Sequence, residues 1–415
     1  MSETATISAQ VAEIENPEAR RRAATPAIRL CHFTTVHTSL KSRSFHRQCL
    51  PLAQAGTEVR YVAPIAGKQM PRKQDDAIEF ISTPYCKNRL RRALANPALL
   101  RELLRQDASL YYFQDPELLP LALALKVVFR KRVVYDAYED FPSTARHSES
   151  MPRSLAALAG KAVEGLESLA ARCLDGVITA DPFTLRRFAR AGKSRKLVFH
   201  NFPNLDFFST PRPTAKLVDV VYRGGISERA GTFVLLDALR ILVDRQRTAR
   251  TLLVGYFDNA AAETRIRERI RALGLQSIVE IRGRIDHEEM AAALSQARIG
   301  VCPLQPVPKF LLNIPVKVFE YWACGLPVIA SDLPPIRPYF HSAHAGLLFE
   351  PGNANDLARS IDWMLEHPAR AAQMGQNGRA AVVERFNNCG EVRKLQMFCA
   401  QITARRAAPR KSTHA

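Results

Sequence analysis

The chain has 415 residues, of which 47% are hydrophobic, and it carries a formal net charge of +19. This length suggests two domains or three, and no apolar stretch is long enough to cross a membrane. The eight cysteines are scattered without a Cys-x-x-Cys pair, which argues against a disulfide framework or a zinc site and predicts a reducing cytoplasm.

The two ends of the chain have the composition of disordered segments. Residues 1–26 are polar and acidic, then basic, and they lack the apolar core of a signal peptide, so we expect no secretion. Residues 405–415 form a basic tail. We predict that both segments are disordered.

Between these ends, short apolar runs alternate with helical patterns. The predicted strands are 28–33, 59–64, 78–82, 110–114, 133–138, 176–180, 196–201, 218–222, 251–255, 278–282, 299–303, 327–331 and 346–349. Alternation of strands and helices predicts parallel sheets with right-handed crossovers. Thirteen strands are too many for one open sheet of ordinary size. Residues 204–217 are rich in Pro and polar residues, which is typical of a linker.

The predicted fold class is therefore α/β, with two Rossmann-like domains whose parallel sheets face each other across a cleft. The domains are expected at residues 27–204 and 205–388. In open α/β sheets, ligands bind in loops that follow the strands. The candidate functional residues are therefore sought there.

Three loops of the first half carry polar side chains at strand ends. They supply His37 and Arg43, then Asp115, then Glu139 and Asp140. Structural alternatives exist for several of them. Asp115 could cap a helix that starts at Pro116, and Glu139 and Asp140 could cap another helix.

Basic residues cluster in 87–105 and in 405–411. The first cluster resembles a pair of basic amphipathic helices, which suits either a solvated face or an anionic membrane surface. The sequence has no helix-turn-helix pattern, zinc-finger spacing or glycine–aromatic RNA signature. We therefore expect no nucleic-acid partner.

Two loops of the second half suit a phosphorylated ligand. In YRGGISERAG, Gly224 and Gly225 allow a close backbone approach, and Arg229 can reach an anion. After the strand 278–282, the turn at Arg284 and Ile285 could offer backbone groups to a base edge.

The segment NIPVKVFEYWACGLPVIAS, residues 313–331, predicts a helix followed by a buried strand. Pro315 suits the first helical position, and Gly325 suits the end of the helix. Lys317 near a helix N-terminus favours phosphate, and Glu320 one turn later suits the hydroxyls of a ribose. The pair therefore indicates a nucleotide, and the alternative is a surface ion pair.

Four segments, PVKVFEYWACGLPVIAS, YRGGISERAG, FQDPELLP and VVYDAYEDFP, together resemble retaining family 4 glycosyltransferases of the GT-B fold. The likeness extends from about residue 28 to residue 398 and is strongest to bacterial enzymes of polysaccharide assembly. It implies that Glu320 binds the donor ribose. It also implies that Lys317, Arg229 and the glycine pair face the diphosphate, and that a last helix, 389–404, crosses back onto the first domain.

The resemblance implies transfer of a sugar from a nucleoside diphosphate sugar to an acceptor hydroxyl, with retention and without a metal or cofactor. A lipid-linked saccharide or other glycan is the expected acceptor, and the expected location is the inner face of the cytoplasmic membrane. The residues assigned to catalysis are Tyr138, Arg229, Lys317 and Glu320. The donor-binding set is Gly224, Gly225, Arg284, Ile285, Asn313 and Glu320, and the acceptor-side set is His37, Arg43, Asp115, Glu139 and Asp140.

The chain departs from the family pattern at three positions. Leu312 stands where many members have a glutamate, with Asn313 as a substitute partner for the sugar. Tyr138 and Gln114 stand where close relatives often have histidine. These departures keep two alternatives open, which are a nucleotide-sugar 2-epimerase of GT-B architecture and a degenerate binding subunit without catalysis.

Overall fold

The computed structural model describes residues 28–36, 43–65, 78–85, 96–146, 152–189, 192, 194–208, 216–285 and 287–404. Over these residues the strands form one seven-stranded and one six-stranded sheet, and every strand pair is parallel. The predicted α/β class with two Rossmann-like sheets is confirmed. His37, the ends 1–26 and 405–415, and part of the basic segment 87–105 lie outside the described residues.

The first sheet has the strand order β3-β2-β1-β4-β5-β6-β7. Its strands are β1 Arg29–Phe33, β2 Glu58–Ala63, β3 Ile78–Ser82, β4 Leu110–Phe113, β5 Val133–Ala137, β6 Gly176–Thr179 and β7 Arg195–Val198. A π-helical turn, Phe45–Cys49, continues into α1. The described helices are α1 Leu50–Gln54, α2 Asn96–Arg105, α3 Leu119–Val127, α4 Phe141–Arg146, α5 Arg153–Cys173 and α6 Pro182–Arg187.

The second sheet has the order β10-β9-β8-β11-β12-β13. Its strands are β8 Val218–Ile226, β9 Thr251–Phe257, β10 Val279–Arg282, β11 Ala297–Cys302, β12 Val328–Ser331 and β13 Gly346–Phe349. The helices are α7 Thr232–Asp244, α8 Ala260–Ala272, α9 His287–Ser295, α10 Val316–Ala323, α11 Arg337–Ala343, α12 Ala354–Glu366, α13 Pro368–Glu384 and α14 Asn388–Ala404.

The order of strands fixes where a ligand can bind. In each sheet the chain moves outward from one central strand and then crosses to the other side, between β1 and β4 in the first sheet and between β8 and β11 in the second. Such a reversal leaves a crevice at the carboxyl ends of the two strands. Central strands such as β4, β5 and β12 are buried at every residue, because helices cover both faces of a parallel sheet.

Helix α14 leaves the second domain and packs on the first. Phe398 and Ile402 contact Gly176 of β6, where a side chain larger than hydrogen would collide with both. At its start, the amide of Asn388 donates to the carbonyl of Pro203 at 2.9 Å. The helix therefore ties the end of the second domain to the segment that joins the two domains.

Helix α10 begins at Val316, one residue later than predicted, so Pro315 is its N-cap residue and not its first helical residue. Its aromatic residues anchor the helix to neighbouring segments. Phe319 packs edge-on against Phe202 of the joining segment with ring centroids 4.8 Å apart, and Trp322 donates to the carbonyl of Ala345 at 3.0 Å. Among the described helices, none is long and apolar enough to span a bilayer.

Candidate functional site

A cavity of 510 Å³ lies between the two domains, at the carboxyl ends of strands from both sheets. The first domain contributes the loops after β5, β6 and β7. The second contributes the loops after β8, β9 and β11 together with the first turn of α10. In the second domain the cavity therefore stands where the strand order predicts a ligand site, at β8 and β11. In the first domain it lies beside the loops after β5, β6 and β7, to one side of the crevice expected at β1 and β4.

Lys317 and Gly224 form an anion-binding corner on the floor of this cavity. The Lys317 ammonium lies 3.1 Å from the Tyr222 hydroxyl and 4.3 Å from the centre of its ring. Gly224 has a φ of +128°, and a Cβ there would lie 3.0 Å from the Lys317 Nζ. A cation, a bare backbone and the N-terminus of α10 meet here, which suits a phosphate group.

Arg229 stands at the rim of the same corner. Its guanidinium is 60% exposed and pairs with Asp258 at 3.0 Å. Its carbonyl accepts from the amide of Gln305 at 3.0 Å, so the loops after β8 and β11 are joined. This exposed cation can turn towards a bound anion without the desolvation cost of a buried one.

Glu320 is buried and does not line the cavity. Its carboxylate lies 2.7 Å from Arg223 of β8 and 3.7 Å from Arg47 of the first domain. Arg47 also donates to the carbonyls of Asn201 and Phe202. Burial lowers the pKa of Arg47 to about 10, although the charge of Glu320 opposes that shift. Glu320 thus joins the domains, and its ribose role stays a prediction.

Arg43 reaches the cavity from the first domain and is held by Asp136. Its guanidinium donates to the buried Asp136 carboxylate at 2.9 Å and lies 5.1 Å from the centre of the Tyr138 ring. Tyr112 and Gln114 donate to the same carboxylate oxygen, each at 2.8 Å. Asp136 is therefore a positioning residue; the sequence placed it beside Glu139 and Asp140 in the same segment but did not assign it to the site.

Tyr138 is the aromatic wall of the cavity on the first-domain side. Burial raises its pKa to about 12, and the charges of Glu139 and Asp115 add to the shift. Its hydroxyl therefore stays protonated at neutral pH and can donate a hydrogen bond. Glu139 lies 4.0 Å from Lys309 of the second domain, so an ion pair spans the cavity.

His200 also lines the cavity and was missed by the sequence reasoning. Its ring nitrogen Nδ1 lies 3.4 Å from the carboxylate of Glu391, and its backbone amide donates to the same group at 2.9 Å. Glu391 belongs to α14, which follows the whole second domain. The predicted strand 196–201 included His200, whereas the observed β7 ends at Val198, so His200 lies in the loop that follows the strand.

The remaining predicted residues divide into two groups. The cavity is lined by Arg43, Tyr138, Glu139, Gly224, Gly225, Arg229, Asn313 and Lys317. Four others lie away from it: Asp115, Asp140, Arg284 and Ile285. Arg284 lies 4.5 Å from the centre of the Tyr256 ring, and Tyr256 lines the cavity.

The two aspartates of the second group have structural contacts. Asp115 does not cap the helix that follows it, contrary to the structural alternative. Its carboxylate accepts from the Thr34 hydroxyl at 2.8 Å and the Thr35 amide at 2.9 Å. Asp140 accepts from the amide of Ser143 at 3.1 Å, as the capping alternative predicts.

Comparison with known proteins agrees with this architecture. Residues 206–381 match the sequence family described as Glycosyl transferases group 1. A glycosyltransferase of amylovoran biosynthesis from Erwinia amylovora is 28% identical over 171 residues, which are 41% of this chain and 41% of that protein. The match thus spans about two fifths of the length of this relative.

Solved structures match over nearly the whole chain. Sucrose-phosphate synthase from Thermosynechococcus elongatus has a TM-score of 0.72 at 20% identity, over 91% of this chain and 100% of that one. An Anabaena protein in complex with UDP-glucose has a TM-score of 0.67 at 16% identity, over 90% and 99% of the two chains. At such identities the likeness establishes the fold. The predicted resemblance to family 4 glycosyltransferases of the GT-B fold is confirmed.

Proposed function

We propose that this chain, which carries a glycosyl transferases group 1 domain over residues 206–381, is a retaining glycosyltransferase that uses a nucleoside diphosphate sugar. The observation that carries the proposal is that one cavity is lined by two different sets of groups, one from each domain. The anion-binding corner of Lys317 and Gly224 lies on one side, and the hydrogen-bonding wall of Arg43 and Tyr138 lies on the other. The similar Anabaena structure, which holds UDP-glucose, supports this class of donor.

In the proposed reaction, the bond between the anomeric carbon and the diphosphate breaks while the acceptor oxygen attacks from the same face. The acceptor proton passes to an oxygen of the leaving phosphate, which gives retention without a carboxylate nucleophile. The charge that develops on the diphosphate is met by Lys317, Arg229, the amides of Gly224 and Gly225, and the N-terminus of α10. We therefore propose that the reaction needs no metal ion.

Water competes with the acceptor for the activated sugar, so the cavity has to be closed during transfer. The contact of Glu139 with Lys309 spans the opening, and Arg47 with Glu320 joins the domains beneath it. These two contacts support a mechanism in which closure of the domains completes the site.

The proposed acceptor is a lipid-linked saccharide of cell-surface polysaccharide synthesis, with the protein peripheral at the inner face of the cytoplasmic membrane. The net charge of +19 and the basic residues of α2 support an anionic surface as partner. The similarity to the amylovoran biosynthesis enzyme supports a polysaccharide product.

The test starts with thermal unfolding in the presence of UDP, GDP or ADP. We expect one of them to raise the melting temperature, because a ligand specific to the folded state stabilises it. The sugar nucleotide of that base is then incubated with acceptor lipids, and the anomeric configuration of the product is read by NMR. An inverted product would refute retention, and loss of activity with a chelator would refute metal independence.

The same incubation without acceptor separates the alternatives. Conversion of the donor sugar to its C2 epimer would identify an epimerase instead of a transferase. Nucleotide binding without turnover of any sugar nucleotide would identify a binding subunit. If no nucleotide stabilises the protein, the proposed donor site is wrong.

A further inference from the structure

Helix α5 exposes a row of leucines on the surface of the first domain. Leu155, Leu158, Leu166 and Leu169 are between 38% and 64% exposed. At 100° per residue they fall on one side of the helix, away from the buried Ala156, Gly160, Glu167 and Ala170. A helix of a soluble domain normally turns its large apolar side chains towards the core. This row therefore needs another explanation.

The end of the neighbouring helix α3 extends the apolar surface. Val127, Val128 and Phe129 are between 40% and 68% exposed. Lys126 lies 2.6 Å from Asp175, which follows α5, so the ends of the two helices are adjacent. The four leucines of α5 and these three residues are seven of the fifteen large hydrophobic side chains that are exposed in the described part of the chain. We call this surface the leucine face.

The charges around the leucine face have one sign. Exposed cations stand on α5 at Lys161 and Arg172, after α3 at Arg130, and on α2 at Arg101. Within the described ranges, no ion pair involves any of these four. The carboxylates of the same helical layer are paired: Glu164 with Arg146, Asp175 with Lys126, and Glu102 with Arg105. The uncompensated charge of this surface is positive.

We propose that the leucine face docks on an anionic lipid bilayer. Its leucines would enter the boundary between headgroups and acyl chains, and the surrounding cations would contact lipid phosphates, as amphipathic interfacial helices do. A second copy of this chain is a poorer occupant, because two such faces would oppose like charges. The inference depends on the proposed function only for the reason why a membrane is needed, which is access to a lipid-linked acceptor.

The test is flotation of the full chain with vesicles of phosphatidylcholine mixed with phosphatidylglycerol, and with vesicles of phosphatidylcholine alone. We expect binding to the mixed vesicles that weakens as salt is added. The double variant Leu158→Ser with Leu169→Ser should lower that binding by about tenfold or more. Lys161→Gln with Arg172→Gln should lower it chiefly at low salt.

A matched control keeps the result specific. Val383 and Met397 are 49% and 64% exposed but lie on α13 and α14, so Val383→Ser with Met397→Ser should leave vesicle binding unchanged. The melting temperature should stay the same in all variants, because the side chains are on the surface. Unaltered vesicle binding in the leucine variant would overturn the inference. Loss of concentration-dependent dimers in that variant, without loss of vesicle binding, would also overturn it.

The nucleotide-dependent melting shift is measured on the same proteins. Vesicle binding without any nucleotide shift would refute the proposed function and leave the docking surface standing. A nucleotide shift without vesicle binding would refute the docking surface and leave the proposed function standing.

Discussion

The buried carboxylate of Glu320 in the second domain lies 3.7 Å from the guanidinium of Arg47 in the first. The carboxylate that could accept hydrogen bonds from ribose hydroxyls is thus engaged in a contact between the two domains. Removal of one charge from a buried pair leaves the other uncompensated, which is costly. We therefore expect Glu320 to stabilise the fold and the orientation of the two domains in the absence of ligand.

We expect Glu320→Gln to lower the free energy of unfolding by about 3 kcal/mol, because Arg47 and Arg223 would both lose their buried partner. Denaturant unfolding measures this, with Glu228→Gln as the control, since Glu228 is an exposed glutamate that pairs with Arg265. If stability is unchanged and nucleotide affinity falls instead, the ribose role is correct and the interdomain role is wrong.

The fold and the anion-binding corner follow from local sequence signals. The buried parallel strands are short apolar runs, and Pro315, Gly325 and the spacing of apolar residues specify α10. Gly224 was found because strand ends of open α/β sheets collect ligands, and Lys317 because a cation near a helix N-terminus favours phosphate.

The other contacts of the site depend on residues distant in sequence. Arg47 meets Glu320 only once the two domains are apposed, and Glu391 meets His200 only once α14 has crossed back. No local pattern encodes either meeting. Gln114 illustrates the same limit. It stands where close relatives often have histidine, and it reaches the site through the Asp136 carboxylate, to which it donates.

The glycine pair offers a comparison within one loop. Gly224 has a φ of +128° and lies against the Lys317 ammonium, whereas a Cβ at Gly225 would meet Tyr256 no closer than 3.7 Å. Gly224→Ala should strain the backbone and displace Lys317, with a loss of about tenfold in affinity for the nucleoside diphosphate. Gly225→Ala should change that affinity much less. If calorimetric titration shows equal losses of affinity in the two variants, the position of Gly224 against Lys317 does not matter for binding.

Stability should depend on acid through Glu391. Burial by itself raises the pKa of this carboxyl, but hydrogen bonds from His200 and Lys394 outweigh it and hold the pKa below the usual 4.5. A depressed pKa means that the folded state favours the ionised form. Its contribution is therefore present above pH 4.5 and is lost as the pH falls through the lower folded value.

Glu391→Gln should therefore cost about 1–3 kcal/mol at neutral pH and progressively less in acid. The measurement is urea unfolding of wild type and variant between about pH 7 and about pH 3. Lys394→Met keeps the carboxylate and removes one partner, so it should give a smaller loss of the same sign. A difference that stays constant over this range would contradict the assignment.

Tyr138 should act as a neutral hydrogen-bond donor, since burial raises its pKa to about 12. Tyr138→Phe removes only the hydroxyl and keeps the ring under Arg43. We expect kcat to fall by about 5–10-fold, with the wild-type pH profile unchanged in shape. Tyr256→Phe is the control, because Tyr256 is an exposed tyrosine on the donor side of the cavity. Complete loss of transfer in Tyr138→Phe would show that the hydroxyl does more than donate a hydrogen bond.

Lys317 and Arg229 should act on charge that develops during transfer. Lys317→Ala should lower kcat by about 10²–10³-fold, since in the proposed reaction it removes a cation that stabilises the leaving diphosphate. The affinity for the intact donor should fall less, because solvent and backbone amides already stabilise the charge of its diphosphate. Arg229→Ala should act in the same direction, and Arg265→Ala, another exposed arginine paired with a carboxylate, should leave kcat unchanged. Initial rates over a range of donor concentrations separate the two constants, and a rise in KM at constant kcat would assign these cations to ground-state binding alone.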